Sequence, residues 1–184
     1  SRHKDLDVLL TEQPSKILFN GKIRDLLLNS ENELSEKQEL NLFNTDRIMQ
    51  QNIIKEHYKS SDKLVLSDRT FLSSMVYQNI LGLSMTSIYM ECTTVVDKLP
   101  DIIFYLEARK RTIMERKQNK IREVDNIEKK CTTQNELDKY NDAIKNLYNF
   151  KKLDNINIIR INTDKPYQKV IKEIVKKMEI ILDL

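Results

Sequence analysis

The run Asp68-Arg69-Thr70-Phe71-Leu72-Ser73-Ser74-Met75-Val76-Tyr77-Gln78 constrains this chain more than any other. It follows the apolar segment Lys63-Leu64-Val65-Leu66-Ser67 and reads as a buried strand that ends in an acid and a cation, then turns into a helix. Open α/β sheets bind ligands at the carboxyl ends of their strands. The run therefore sets a carboxylate, a guanidinium, two hydroxyls, a phenol and an amide at that edge. The chain holds only two glycines, Gly21 and Gly82, and no phosphate-cradling glycine loop.

Other strand-like runs alternate with helical ones. Asp7–Thr11 is a short apolar run before Pro14, and Ile17 to Asn29 carries helical spacing at Leu18, Ile23, Leu26 and Leu27. Ser35-Glu36-Lys37-Gln38 has the form of a capping box, which predicts a helix to about Tyr58. After strand 63–67, helices are predicted to a stop near Gly82 and over about 85–97. Pro100–Leu106 and Ile156–Ile161 read as further strands. Thr133-Gln134-Asn135-Glu136 reads as a second capping box opening a helix to about Phe150, and Pro166 precedes a terminal amphipathic helix. Strands separated by helices predict a parallel sheet with helices on both faces.

A length of 184 residues, without repeats or a Pro/Gly-rich linker, suggests one domain over 1–184, since domains cluster at roughly 100–200 residues. No run of about 18 apolar residues is present, so no membrane partner is expected. The charged start, Ser1-Arg2-His3-Lys4-Asp5, has no apolar signal segment. Cys92 and Cys131 make no disulfide framework and suggest reduced thiols in a cytoplasmic protein. A net charge of +3 gives no case for nucleic acid. The positive charge is nevertheless clustered, with seven cations in the fourteen residues 109–122. That segment is either a solvated helix face or a cover for phosphates. His3 and His57 are isolated and read as surface residues.

Three sets of side chains bear on chemistry. Phe43 and Arg47 lie four apart, on one helix face, and would suit a flat ligand with a carbonyl edge; core packing and a surface cation are the alternative. Asp68 could hold a metal through water, or form a buried ion pair. Arg69 has the planar donors that match an oxyanion.

Together these residues resemble the thymidylate kinase family. Asp68-Arg69, Ser73-Ser74 and Tyr77-Gln78 are similar to its Asp-Arg, Ser-Ser and Tyr-Gln signature. Thr11-Glu12-Gln13-Pro14-Ser15 resembles its Thr-Arg-Glu-Pro-Gly loop, Lys22–Leu27 the helix after it, and Phe43 with Arg47 its Phe-to-Arg pair. Pro100–Leu106 resembles its next strand and Val124–Glu128 the end of its lid, here about 109–128.

The resemblance implies a P-loop-kinase-like parallel sheet and transfer of the ATP γ-phosphoryl group to dTMP. In it Phe43 stacks on thymine, Arg47 bonds its O4, Ser74 and Gln78 read the base edge, and Tyr77 lines the sugar side. Gln13 belongs to the substrate loop, and Arg69 grips the dTMP phosphate. Asp68 supports Mg2+, while Arg116, Lys120 and Arg122 are lid cations near ATP, Arg116 and Arg122 serving the transfer itself. It also implies a homodimer.

Several positions depart from the family pattern. Its opening strand, which is the central one, and its Gly-rich phosphate loop have no counterpart here. Gln13 stands in place of a carboxylate, Ser15 of a glycine, Thr70 of an aromatic or His, and Asn126 of an arginine. These departures predict exposed edges on the second and third family strands and little activity from the 184 residues alone. They also leave a catalytically dead nucleotide-binding module of the same fold, or a kinase for another nucleoside or monophosphate, as competing readings.

Overall fold

The computed structural model describes residues 6–29, 33–59, 63–119, 129–150 and 156–183. Among these, four strands and seven α-helices follow one another as β1 (Asp7–Glu12), α1 (Lys22–Leu28), α2 (Glu36–His57), β2 (Lys63–Asp68), α3 (Phe71–Ile80), α4 (Met85–Thr94), β3 (Ile102–Glu107), α5 (Lys110–Gln118), α6 (Thr133–Asn149), β4 (Asn157–Asn162) and α7 (Tyr167–Leu182). A 3-10 turn, Leu18–Gly21, leads into α1. The expected helix over 17–29 is thus broken at its start. Phe19 and Asn20 both take left-handed backbone, and Gly21 follows at φ 76°. A Cβ at Gly21 would come within 3.1 Å of the Lys16 carbonyl oxygen, so the turn needs glycine there.

Local chemistry accounts for the helix starts. Ser35 caps α2 with the expected reciprocal box: its hydroxyl accepts from the Gln38 N–H, and the Gln38 side chain accepts from the Ser35 N–H at 2.9 Å. Thr70 caps α3 by accepting from the Leu72 N–H. The predicted box at Thr133 is displaced by one residue. Thr132 is the cap, accepting from the Asn135 N–H at 3.2 Å, and this frees Glu136 for other bonds.

The parallel arrangement with flanking helices is as expected, but the strands form two separate pairs. β1 runs parallel to β2, with Asp7 opposite Lys63 and Glu12 opposite Asp68. β3 runs parallel to β4, from Ile102 opposite Asn157 to Glu107 opposite Asn162. Among the described residues, β2 and β3 have no further ladder partner. Both line a cavity of about 790 Å3, which also reaches Ile54, Met178 and Ile181. Leu66 on β2 and Leu106 on β3 stay 38% and 54% exposed, unusual for parallel strands, which are normally covered on both faces.

The main core lies where α3, α4, β3 and α6 meet, around Met75, Val76, Ile88, Cys92, Ile103 and Ile144. Tyr89 stacks on Phe150 with ring centres 4.0 Å apart. A second cluster joins Ile23 and Leu27 of α1 to Phe43 of α2 and Tyr77 of α3. His57, expected on the surface, is half-buried, and its Nε2 lies 3.1 Å and 3.2 Å from the carbonyls of Asp7 and Leu64. It ties the end of α2 to the start of both strands. Among the described residues, no helix is long and apolar enough to cross a membrane.

Candidate active site

The site is built where β1 and β2 end together. The register brings Glu12 level with Asp68, and the next N–H, of Gln13, donates to the Asp68 carbonyl at 3.0 Å. The following residue on the other strand, Arg69, takes left-handed backbone at φ 69°. For a residue with a Cβ this conformation costs about 1–3 kcal/mol, and such strain collects at functional sites. It turns the chain from strand to helix within two residues. The Ser67 hydroxyl holds the Arg69 carbonyl at 2.8 Å, and the Arg69 guanidinium carbon sits 5.5 Å from the centre of the Tyr77 ring.

Behind this mouth lies the guanidinium of Arg47, only 1% exposed. Nη2 donates to Ser74 Oγ at 3.0 Å and to Gln13 Oε1 at 3.2 Å. Nη1 donates to Asn44 Oδ1 and to Cys92 Sγ. Among the described residues no carboxylate pairs with it directly, and burial pulls its pKa down from the usual arginine value. Burying a charge this way is expensive unless every donor is used. Nε has no partner among the described residues, so the fork retains an unmet donor.

A polar brace fixes the Gln13 loop from below. Gln13 Nε2 donates to Gln50 Oε1 at 3.0 Å, and Gln50 Nε2 donates to Asp46 Oδ2 at 3.2 Å. Asp46 Oδ1 accepts from the Ser15 N–H at 3.1 Å. Burial raises the Asp46 pKa, opposed by the Ser15 N–H. The Ser15 hydroxyl accepts from the N–H groups of Ile17 and Leu18, each at 3.1 Å, so serine here organises the turn that follows. Arg24 completes the loop by donating to the Pro14 carbonyl at 2.7 Å.

These elements enclose a cavity of about 230 Å3. Phe43, Arg47, Arg69, Ser74, Tyr77 and Gln78 line it, with Gln13 and Asp68 at its edge. That volume is below the roughly 300–1,000 Å3 of drug-sized ligand sites and favours a small ligand. Tyr77 donates its hydroxyl to Glu136 Oε1 at 3.2 Å, and burial drives its pKa up, so it remains a neutral donor. Glu136 in turn pairs with Lys117 at 2.5 Å. Gln78 is fully buried, and its Oε1 has no partner among the described residues.

The substrate-side residues named from sequence thus share one cavity. Arg116 does not join them. Its Nη1 donates to Thr163 Oγ1 at 3.1 Å and its Nη2 to the Thr163 carbonyl, beyond the end of β4. Lys120, Arg122 and the segment 124–128 lie outside the described residues. Sequence reading missed Glu39, Asp46, Gln50 and Glu136. The signal was there in part: Glu39, Phe43, Asp46, Arg47 and Gln50 repeat at helical spacing, an oddly polar stripe for a helix face turned inward.

The sequence pattern of the family described as "Thymidylate kinase" matches residues 2–174. The chain belongs to the thymidylate kinase family. It is 29% identical over 171 residues to the thymidylate kinase of Malacoplasma penetrans (strain HF-2), covering 91% of this chain and 78% of that protein. It is 30% identical over 178 residues to that of Fervidobacterium nodosum (strain ATCC 35602 / DSM 5306 / Rt17-B1), covering 94% and 84%. A crystal structure of thymidylate kinase from Ehrlichia chaffeensis superposes with a TM-score of 0.65 at 22% identity, covering 93% of this chain and 81% of that one. That likeness establishes the shared fold of the kinase family.

Proposed function

We propose that this chain carries the acceptor site of a nucleoside monophosphate kinase that transfers the γ-phosphoryl group of ATP to dTMP, giving dTDP. The observation that carries the reading is the buried Arg47 fork, bonded to Ser74 and sharing one small cavity with Phe43, Gln78 and Arg69. A guanidinium donor beside an amide acceptor matches a pyrimidine edge that offers a carbonyl and an N–H. Phe43 supplies the stacking face. Arg69, held against Tyr77 near the mouth, presents a planar fork to the phosphate. The chain's residues therefore hold and orient the phosphate that is to be extended, the main contribution a protein makes to phosphoryl transfer.

ATP and Mg2+ belong to the same reading. Asp68 is exposed at the end of β2 and offers one carboxylate. This fits Mg2+, which is bound through one or two carboxylates and fills its remaining positions with water and phosphate oxygens. When bound, the ion would neutralise charge on the phosphates. We read the slot between β2 and β3 as the seat of a further parallel strand, because both strands that line it have a free ladder edge among the described residues. We read Ile48, Met49 and Ile53, all exposed on α2, as the face of a homodimer, and a cytoplasmic location goes with this function.

Calorimetric titration with dTMP, using dCMP as control, tests the assignment. Selective dTMP binding is expected; equal binding of the two, or none by a chain shown folded by circular dichroism, overturns it.

A further inference from the structure

Glu39 is a carboxylate with no exposed surface, one turn before Phe43 on α2. It does not line the small cavity. Oε1 pairs with Lys130 Nζ at 2.5 Å, and Oε2 accepts from Gln78 Nε2 at 3.5 Å. On the other side, Gln78 lines the cavity with an Oε1 that nothing among the described residues satisfies. A buried amide oxygen without a partner is costly unless a ligand completes it.

We propose that Glu39 is a positioning residue that sets base selectivity by locking the polarity of the Gln78 amide. A carboxylate that pairs with an ammonium through one oxygen, as Glu39 does with Lys130, offers its other oxygen only as an acceptor. The amide must therefore turn its NH2 to Glu39 and its oxygen to the cavity. With Arg47 donating beside it, the cavity wall reads donor then acceptor. Thymine and uracil present the complement, a carbonyl oxygen next to an N–H. Cytosine presents the opposite, an amino group next to an unprotonated ring nitrogen, and leaves the Gln78 oxygen facing a lone pair. The inference rests on the pyrimidine reading of the site and extends it to a residue that never touches the ligand.

The Glu39→Gln variant tests it. The introduced amide can offer either its oxygen or its NH2 to Gln78, so the lock is released while shape is kept. Calorimetry on wild type should show a dTMP preference over dCMP. In E39Q the ratio of the two affinities should fall at least tenfold, through weaker dTMP and stronger dCMP binding. Lys130→Arg keeps a cation on the carboxylate and should retain the wild-type ratio. An unchanged ratio in E39Q, or a ratio lost in K130R but kept in E39Q, overturns the lock and leaves the site assignment standing. Absence of any dTMP preference in wild type overturns both. If E39Q does not fold, NMR on wild type with dTMP decides: nuclear Overhauser contacts from the Gln78 amide protons to Glu39 methylenes support the lock, and contacts from those protons to the base overturn it.

Discussion

The small cavity around Arg47 and the large one between β2 and β3 adjoin, sharing Gln13, Arg47, Arg69 and Tyr77 among other residues in their walls, yet they are finished to different degrees. Around Arg47 nearly every polar group has a partner, and two left over, Arg47 Nε and Gln78 Oε1, belong to residues that line the cavity. Between β2 and β3 strand edges and apolar side chains such as Leu64, Leu66, Ile103 and Ile181 make up much of the wall, with charged groups such as Asp68, Lys117 and Glu136 also lining it. The first region is preorganised by side chains from α2, α3 and one loop, with Arg47 bonding Ser74 and Gln13 across 27 and 34 positions of the chain. The second depends on a ladder that its own strands do not close. Ligand recognition and sheet completion thus rest on different interactions, and perturbing each in turn tests whether they can be broken alone.

Arg47→Met gives the largest expected effect. It removes the donor shared by Gln13, Asn44 and Ser74 and takes that partner from the buried Asn44 and Ser74 and the half-buried Gln13. Losing one partner of a buried polar network costs about 3–5 kcal/mol when charge is involved, so dTMP binding should become undetectable by calorimetry and the chain should melt at lower temperature. Arg47→Lys should rescue little, because a point charge cannot serve acceptors on both sides of a planar fork. Binding by R47M within tenfold of wild type would break the assignment of the pocket.

The slot should respond to a strand and not to a ligand. An extended apolar peptide of six residues, added in excess, should bind parallel to β2 and β3 and raise the melting temperature by roughly 5 °C, equivalent to about 1–2 kcal/mol for a domain of this size. A scrambled peptide with charges at alternate positions should not. If neither peptide shifts the melt, the free edges of β2 and β3 are not a strand seat. A dTMP affinity that the apolar peptide leaves unchanged would sharpen the contrast between the two regions.

A smaller loss is expected from Phe43→Ala. Phe43 is 9% exposed and packs with Tyr77, so truncation removes a stacking face while Arg47 keeps its partners. Stacking of a base on an aromatic ring is worth about 1–3 kcal/mol, which predicts dTMP binding weakened roughly tenfold or more. Titration of F43A checks it; unchanged affinity would move the base off this ring.

The two regions also differ in how well the sequence foretold them. The strand ends, the α3 start and the Phe43–Arg47 spacing were legible because each is a local pattern: an apolar run meeting polar residues, a hydroxyl cap, a one-turn interval. From resemblance to the family, exposed edges were expected on its second and third strands, β1 and β2 here; among the described residues it is β2 and β3 that line the open slot. What stayed hidden were bonds between residues far apart in the chain. Glu39 meets Gln78 and Lys130, and Tyr77 meets Glu136 across 59 positions. Glu136 was read as half of a capping box because its spacing from Thr133 fits one. The cap at Thr132 won instead, since its hydroxyl reaches the Asn135 N–H and leaves Glu136 to the ion pair with Lys117.

The smallest expected effect belongs to Arg116, and it is the one that divides acceptor binding from transfer. Both its terminal nitrogens are committed to Thr163, and it is absent from the lining of both cavities. Arg116→Ala should therefore leave dTMP affinity within about twofold of wild type, since exposed polar contacts are worth at most ~1 kcal/mol and this one is made elsewhere. If Arg116 also serves ATP, the same variant should lose turnover in the protein assayed with both substrates while its dTMP titration is unaltered. A parallel loss of dTMP affinity would mean that α5 reaches the acceptor cavity when substrate binds. The loop after β4 would then belong to the same device as Arg47, and the separation of the two regions would fail at that point.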